Sequence, residues 1–279
     1  NTTASNNTAV GYAAMYDNTT GQYNVASGFQ ALENNTTGAY NTALGAYALD
    51  GNTTASYNTA VGYGALYSNT TGEINTAVGT NAMRYNTTGA DNSGFGHDAL
   101  VNNTTGNYNT AVGKEALKNN TTASNNTAVG YQAAYSSSTG QDCIAVGYQA
   151  YRNGTASYNY AIGCYAMSGG ITTGVQNIAF GRYSLSLLTS GSYNNALGDY
   201  SLQSLTTGSY NVALGMYALN ATTTASNNTA VGYQAGYSNT TDGNNTFIGY
   251  QSGYTHNNTT GPTYDVYVGY QSGFSTTTG

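Results

Sequence analysis

An apolar dipeptide of the Ala-Val type recurs along the whole chain, each time directly ahead of a glycine. With that glycine as position zero, the copies fall at Gly11, Gly28, Gly45, Gly62, Gly79, Gly96, Gly113, Gly130, Gly147, Gly163, Gly181, Gly198, Gly215, Gly232, Gly249 and Gly269. The step is 17 residues almost throughout, with small slips around Gly163 and a longer step before Gly269. Position −2 is nearly always Ala, changing to Gly94, Phe247 and Tyr267. Position −1 is Val, Leu, Ile or Phe except at Ser27, position +3 is Ala or Ser, and position +4 is mostly Leu or Met until Gly236, Gly253 and Gly273. A period of this length marks a stacked solenoid, in which each unit packs mainly on its neighbours. Gly, Asn and Thr every few residues argue against helix, and Asn-Thr-Thr-Gly strings supply turns. The pattern predicts an all-β fold, a β-solenoid (parallel β-helix or β-roll) of about sixteen 17-residue coils. Each coil is expected to hold one strand around −4 to +1, a second short strand around +2 to +6, and a turn at +7 to +10. Positions −1 and +4 would fill a thin core, which the small residues at −2 and +3 let close. Sixteen coils at a strand spacing of about 4.8 Å would span roughly 75 Å.

Two polar columns accompany the apolar ones. Position −4 is Asn in most coils, as at Asn7, Asn24, Asn41, Asn58, Asn75, Asn92, Asn109 and Asn126, and is broken by Cys143 and Asp265. Amides stacked at strand spacing can hydrogen-bond from coil to coil, so this column reads as a structural ladder. Position +7 carries Asn18, Asn35, Asn52, Asn69, Asn86, Asn103 and Asn120, each followed by Thr-Thr, and Asn239 repeats the pattern later. These residues are good turn formers. They are also N-glycan acceptors if they lie on the surface in a host that glycosylates. Between them the column turns apolar at Leu188 and Leu205, with Ile171 nearby, which reads either as a contact patch or as a variant of turn packing. Tyrosines recur at −5, +1 and +2, and their even spread favours stacking between coils over a dedicated ligand site.

Composition narrows the functions. The 279 residues include 11 acidic and 5 basic side chains, too little positive charge for a nucleic-acid surface. Abundant Tyr, a single Pro and strict periodicity argue for order. Cys143 and Cys164 sit at different positions of successive coils, roughly 16 Å apart along the strand direction, too far for a disulfide. No long apolar run predicts membrane insertion. His97 and His256 lie far apart in the repeat, and no nucleophile triad, zinc spacing or calcium-binding nonapeptide recurs. No enzyme, catalytic residue, metal site or cofactor is therefore expected. The chain opens mid-repeat at Asn1-Thr2-Thr3, without the atypical polar caps that solenoids need. The expected organisation is a single array over 1–279, an excerpt of a longer fibrous protein.

The strings Ala145-Val146-Gly147-Tyr148-Gln149-Ala150 and Ala161-Ile162-Gly163-Cys164-Tyr165-Ala166 resemble the head repeats of trimeric autotransporter adhesins, and the likeness extends over essentially every coil. Asn126-Thr127-Ala128-Val129-Gly130-Tyr131-Gln132-Ala133 is similar to repeats in phage tail-fibre proteins. The first resemblance implies a parallel β-roll with three chains side by side; both imply an extracellular, cell-surface or virion fibre. The chain departs from the adhesin heads in its longer coil and its Asn-Thr-Thr turns.

The leading functional expectation is a structural and adhesive fibre shaft. Its partners would be further copies of itself, as a homotrimer or filament, and a cell-surface glycan or receptor. Two alternatives stand beside it: an ice-binding β-solenoid, and a scaffold filament coated with glycans on its Asn-Thr-Thr turns.

Overall fold

The computed structural model describes residues 3–170, 172–257 and 264–276. The chain is all-β and forms a β-solenoid with one three-residue strand per coil. It folds as two compact units, 1–141 and 142–279. The first holds β1 (Thr8–Val10), β2 (Val25–Ser27), β3 (Thr42–Leu44), β4 (Thr59–Val61), β5 (Thr76–Val78), β6 (Ser93–Phe95), β7 (Thr110–Val112) and β8 (Thr127–Val129). The second holds β9 (Ile144–Val146), β10 (Tyr160–Ile162), β11 (Ile178–Phe180), β12 (Asn195–Leu197), β13 (Val212–Leu214), β14 (Thr229–Val231), β15 (Thr246–Ile248) and β16 (Val266–Val268). In each unit the strands lie parallel and in chain order, with like positions paired: Thr59 with Thr76, Ala60 with Ala77, Val61 with Val78.

The coil around Gly62 shows where its backbone hydrogen bonds go. The N–H groups of Thr59, Leu66, Ser68 and Thr70 donate to the following coil, at Asn75, Ala82, Arg84 and Thr87. Those of Tyr57, Gly62 and Gly64 donate to the preceding coil, at Ala39, Leu44 and Ala46. Bonding therefore runs around most of the coil, far beyond the three strand residues. At Gly62 φ is +129°, and an added Cβ would stand 2.6 Å from the carbonyl oxygen of Gly79 directly below. Backbone torsion and stacking both demand glycine there.

Three expectations about the coil are corrected. The strand covers −3 to −1 and not −4 to +1. The segment from +2 to +6 is a run of turns and not a second strand, because positions +2 and +4 have positive φ, as at Tyr47 (61°) and Leu49 (52°). A left-handed torsion costs a non-glycine residue roughly 1–2 kcal/mol. Full burial of a leucine at +4 contributes about 1.5–3 kcal/mol, which offsets the cost and explains why leucine persists there.

The third correction concerns the core. Alanines at −2 and +3 and the residue at +4 are buried, as at Ala60, Ala65 and Leu66. Position −1 faces out: Leu44, Phe95, Val112, Phe180 and Leu214 are exposed, and Val61 and Val78 are half-buried. A three-residue strand alternates out, in, out. Leucine or methionine at +4 already fills the interior, so the inward place at −2 is left to alanine.

Candidate functional site

Each coil has an apolar end, built by positions −2, +3 and +4, and a polar end where −4, +7 and +10 meet. In the first unit the polar end is a continuous seam. Asn35, Asn52, Asn69, Asn86, Asn103 and Asn120 each donate an Nδ2 hydrogen to the Oδ1 of the asparagine one coil earlier, at 2.7–3.0 Å. The same amide nitrogen also donates to the +10 carbonyl of its own turn, as Asn69 does to Gly72 at 2.9 Å. At −4 the ladder has a different form. The backbone N–H of Asn58 donates to Oδ1 of Asn41, and the Asn58 amide donates to the Gly72 carbonyl. Asn7, Asn24, Asn41, Asn75, Asn92, Asn109 and Asn126 take part in the same way. The expected ladder is thus present at −4, and a second, amide-to-amide ladder lies at +7.

That second ladder overturns the glycan reading. Asn18, Asn35, Asn52, Asn69, Asn86, Asn103, Asn120 and Asn239 are all buried. The nitrogen a glycan would occupy is inside the coil, donating hydrogen bonds; Asn18 gives its own to the Gly21 carbonyl and Asn239 to that of Asp242. The contact patch is corrected as well. Leu188 and Leu205 are buried, filling the seam where other coils carry Asn, while Ile171 lies outside the described residues. The −4 ladder continues past them, Asn194 donating to Asn177 and Asn211 to Asn194.

The coil at Gly147 repairs the seam differently. Tyr151 occupies +4 and is fully buried, its ring lying where a Cβ on Gly154 would stand. Its hydroxyl accepts from Asn159 and donates to the Ala156 carbonyl, replacing a missing amide. Burial drives the pKa of this hydroxyl far up and also raises that of the Cys143 thiol. Both cysteines are free thiols, as their spacing required.

The outward side of the strands is the surface the repeat multiplies. Thr42, Thr59, Thr76, Ser93, Thr110 and Thr127 stand in register at −3, each two residues from an aliphatic or Phe side chain at −1. In the second unit −3 is partly apolar and exposed, with Ile144, Tyr160, Ile178 and Val212. Tyr158, Tyr160, Gln176 and Ile178 line a shallow cleft on this side. Tyrosines stack from coil to coil. Tyr23, Tyr40 and Tyr57 have centroids 5.0 and 5.1 Å apart, and Tyr165, Tyr183, Tyr200 and Tyr217 form a longer file at 5.0–5.4 Å. Such contacts are worth about 0.5–1.5 kcal/mol each, which is the structural role expected of them. Tyr40 and Tyr57 remain half exposed, so that file also presents ring edges to solvent.

One further group of residues is not marked as a site by the repeat pattern. Asp242, His256 and Asp265 replace the ordinary residues at +10, +7 and −4 of the last coils, and their side chains meet in the seam. The signal was available as three column departures in one stretch, but was legible only once those columns are known to converge. Comparison with protein-family models, curated proteins and solved structures gives no match.

Proposed function

We propose that this chain is a segment of a structural and adhesive fibre, in which strand faces of separate copies meet as a homotrimer or filament. The observation that supports this best is the outward −1 column. The strand face, eight coils long at about 4.8 Å per coil and three residues or roughly 10 Å wide, covers about 400 Å² in each unit, and the −1 column takes roughly a third of it. A continuous exposed apolar stripe of this kind, rimmed by polar residues, suits an interaction surface. A second copy suits the stripe, since its partner must repeat at the same spacing. Weak contacts repeated along matched coils add up by multivalency. The same repetition suits a cell-surface glycan or receptor as an adhesive target along the tyrosine files. A site outside the cell or on a virion rests on the resemblance of the coil string to adhesin heads and tail fibres.

The test is sedimentation across a concentration series, with Val78→Lys and Val112→Lys together as the variant. Association of the natural chain that the double variant abolishes, with unchanged circular dichroism, is the expected result. A natural chain that stays monomeric at every concentration, or association that survives both lysines, would overturn the reading.

One observation favours a second reading, ice binding. The outward threonine rank from Thr42 to Thr127 repeats at strand spacing with only Ser93 interrupting it. Thermal hysteresis lost in a Thr59→Tyr, Thr76→Tyr double variant would support it; no hysteresis in the natural chain would dismiss it.

A further inference from the structure

At Asp242, His256 and Asp265 the backbone keeps the ordinary pattern of the seam. The Asp242 carbonyl accepts from the amides of Asn228 (3.0 Å) and Asn239 (2.8 Å), as a Gly or Ala at +10 does elsewhere. The Asp265 N–H donates to Oδ1 of Asn245 at 2.9 Å, as an Asn at −4 does. The His256 N–H donates to the Gly253 carbonyl. Only the side chains differ. They put two carboxylates and an imidazole where the repeat otherwise places neutral amides, with one potential ligand atom from each within 4.8 Å of the others.

His256 is fully buried, its ring against those of Phe247 and Tyr267 at centroid distances of 5.3 and 5.7 Å. Its Nε2 lies 2.8 Å from Oδ2 of Asp242. A carboxylate oxygen accepts hydrogen bonds, so Nε2 carries a hydrogen and Nδ1 is the ring nitrogen left pointing the other way. Nδ1 faces Oδ2 of Asp265 at 3.8 Å, too far for a hydrogen bond, and among the described residues neither atom has a hydrogen-bond partner. A metal cation between these two unpartnered atoms would satisfy both. The chain's five basic residues all precede residue 183, so none stands near this stretch in sequence.

The geometry points to a divalent metal site in which His256 Nδ1 and an Asp265 carboxylate oxygen are ligands and Asp242 holds the imidazole from behind. Ligands about 2.0–2.2 Å from a zinc ion stand about 3.4 Å apart at the tetrahedral angle and farther at wider angles, so a 3.8 Å gap is within reach. A metal-bound histidine characteristically gives its other N–H to a carboxylate, which is the arrangement of His256 and Asp242. Imidazole with carboxylate selects the zinc class of ions over magnesium, which keeps an octahedral shell of oxygen and water. Bound at the seam, the ion would tie the turn at +10 of one coil to +7 and −4 of the next two.

The test is zinc chloride titrated into the full chain by calorimetry, with thermal melts alongside. The variants restore residues the repeat uses elsewhere: His256→Asn, Asp265→Asn and Asp242→Ala. Expected are saturable one-to-one uptake, a higher melting temperature with zinc, loss of both in His256→Asn and Asp265→Asn, and affinity lowered about 10–100-fold in Asp242→Ala. Because asparagine already serves at +7 and −4, these variants keep the fold, which circular dichroism checks; either of the first two suffices. No saturable uptake would overturn the site, as would uptake unchanged in both asparagine variants or removed only by His97→Asn or by replacing the cysteines. Displacement of zinc by a modest excess of magnesium would overturn the choice of metal class.

Discussion

At the scale of the residue, the buried amide does most to define this chain. Asn69 donates to Asn52 and to the Gly72 carbonyl, and accepts from Asn86. Asn69→Asp keeps the shape, removes both donations and buries a charge, so we expect a loss of roughly 3 kcal/mol or more, read from the denaturant midpoint. Little change would mean that the seam is hydrated. Charge in the turns carries a pH dependence. Partial burial, the nearby Glu33 charge and a hydrogen bond with Glu33 raise the Asp50 pKa from 3.8 to about 6. The folded state then holds this proton more tightly than the unfolded state does, so the stability that Asp50 contributes is fully present below about pH 4 and is lost as pH rises through about 6. Asp50→Asn should flatten that decline and raise the melting temperature at pH 7; an unchanged pH profile would contradict the assignment. The −4 ladder was legible because one amide recurs at the coil period. The same signal at +7 was outweighed by composition, since Asn-Thr-Thr-Gly reads as a surface turn whether its first residue points out or in.

At the scale of the element, the coil keeps its interior volume constant by exchange between columns. Most coils pair Ala at −2 with Leu or Met at +4. Where −2 becomes Phe247, the +4 residues of its own and the preceding coil become Gly253 and Gly236, and a Cβ on either would lie 2.2 or 2.7 Å from the Phe247 ring. Tyr267 and Gly273 repeat the exchange. Where −2 shrinks to Gly94, the side chain of Met83 lies 3.3 Å from where its Cβ would be. Ala60→Phe alone should therefore cost about 1–3 kcal/mol by overpacking, and adding Leu49→Gly with Leu66→Gly should recover part of it. A triple variant no more stable than Ala60→Phe would refute the exchange. All of these departures were visible in the sequence as separate irregularities. Their coupling was not, because it depends on which columns face each other across the interior. The direction of the three strand residues was hidden for the same reason. Thr-Ala-Val suggests that valine is the buried member, and only the Leu or Met that +4 places in the interior reverses it.

At the scale of the whole molecule, the period, the parallel stacking and the number of coils were legible in the sequence, since a fixed step with matching apolar columns and turns marks a stacked solenoid. The charged residues are few and partly paired with one another, Lys118 with Asp98 and Glu115 at 3.2 and 3.0 Å. The surface is therefore dominated by neutral polar, tyrosine and aliphatic side chains. Among the described residues there is no helix long and apolar enough to cross a membrane. The proposed function depends on which side of the strand faces outward. The direct measurement is maleimide labelling of Thr76→Cys, Ala77→Cys and Val78→Cys, each in a background where Cys143 is changed to Asn and Cys164 to Tyr, at a dilution that keeps chains apart. Rapid labelling at 76 and 78, with 77 reactive only after denaturation, is the predicted result. Labelling at 77 with 78 protected would place valine inside, and the outward face, with the function proposed for it, would be wrong.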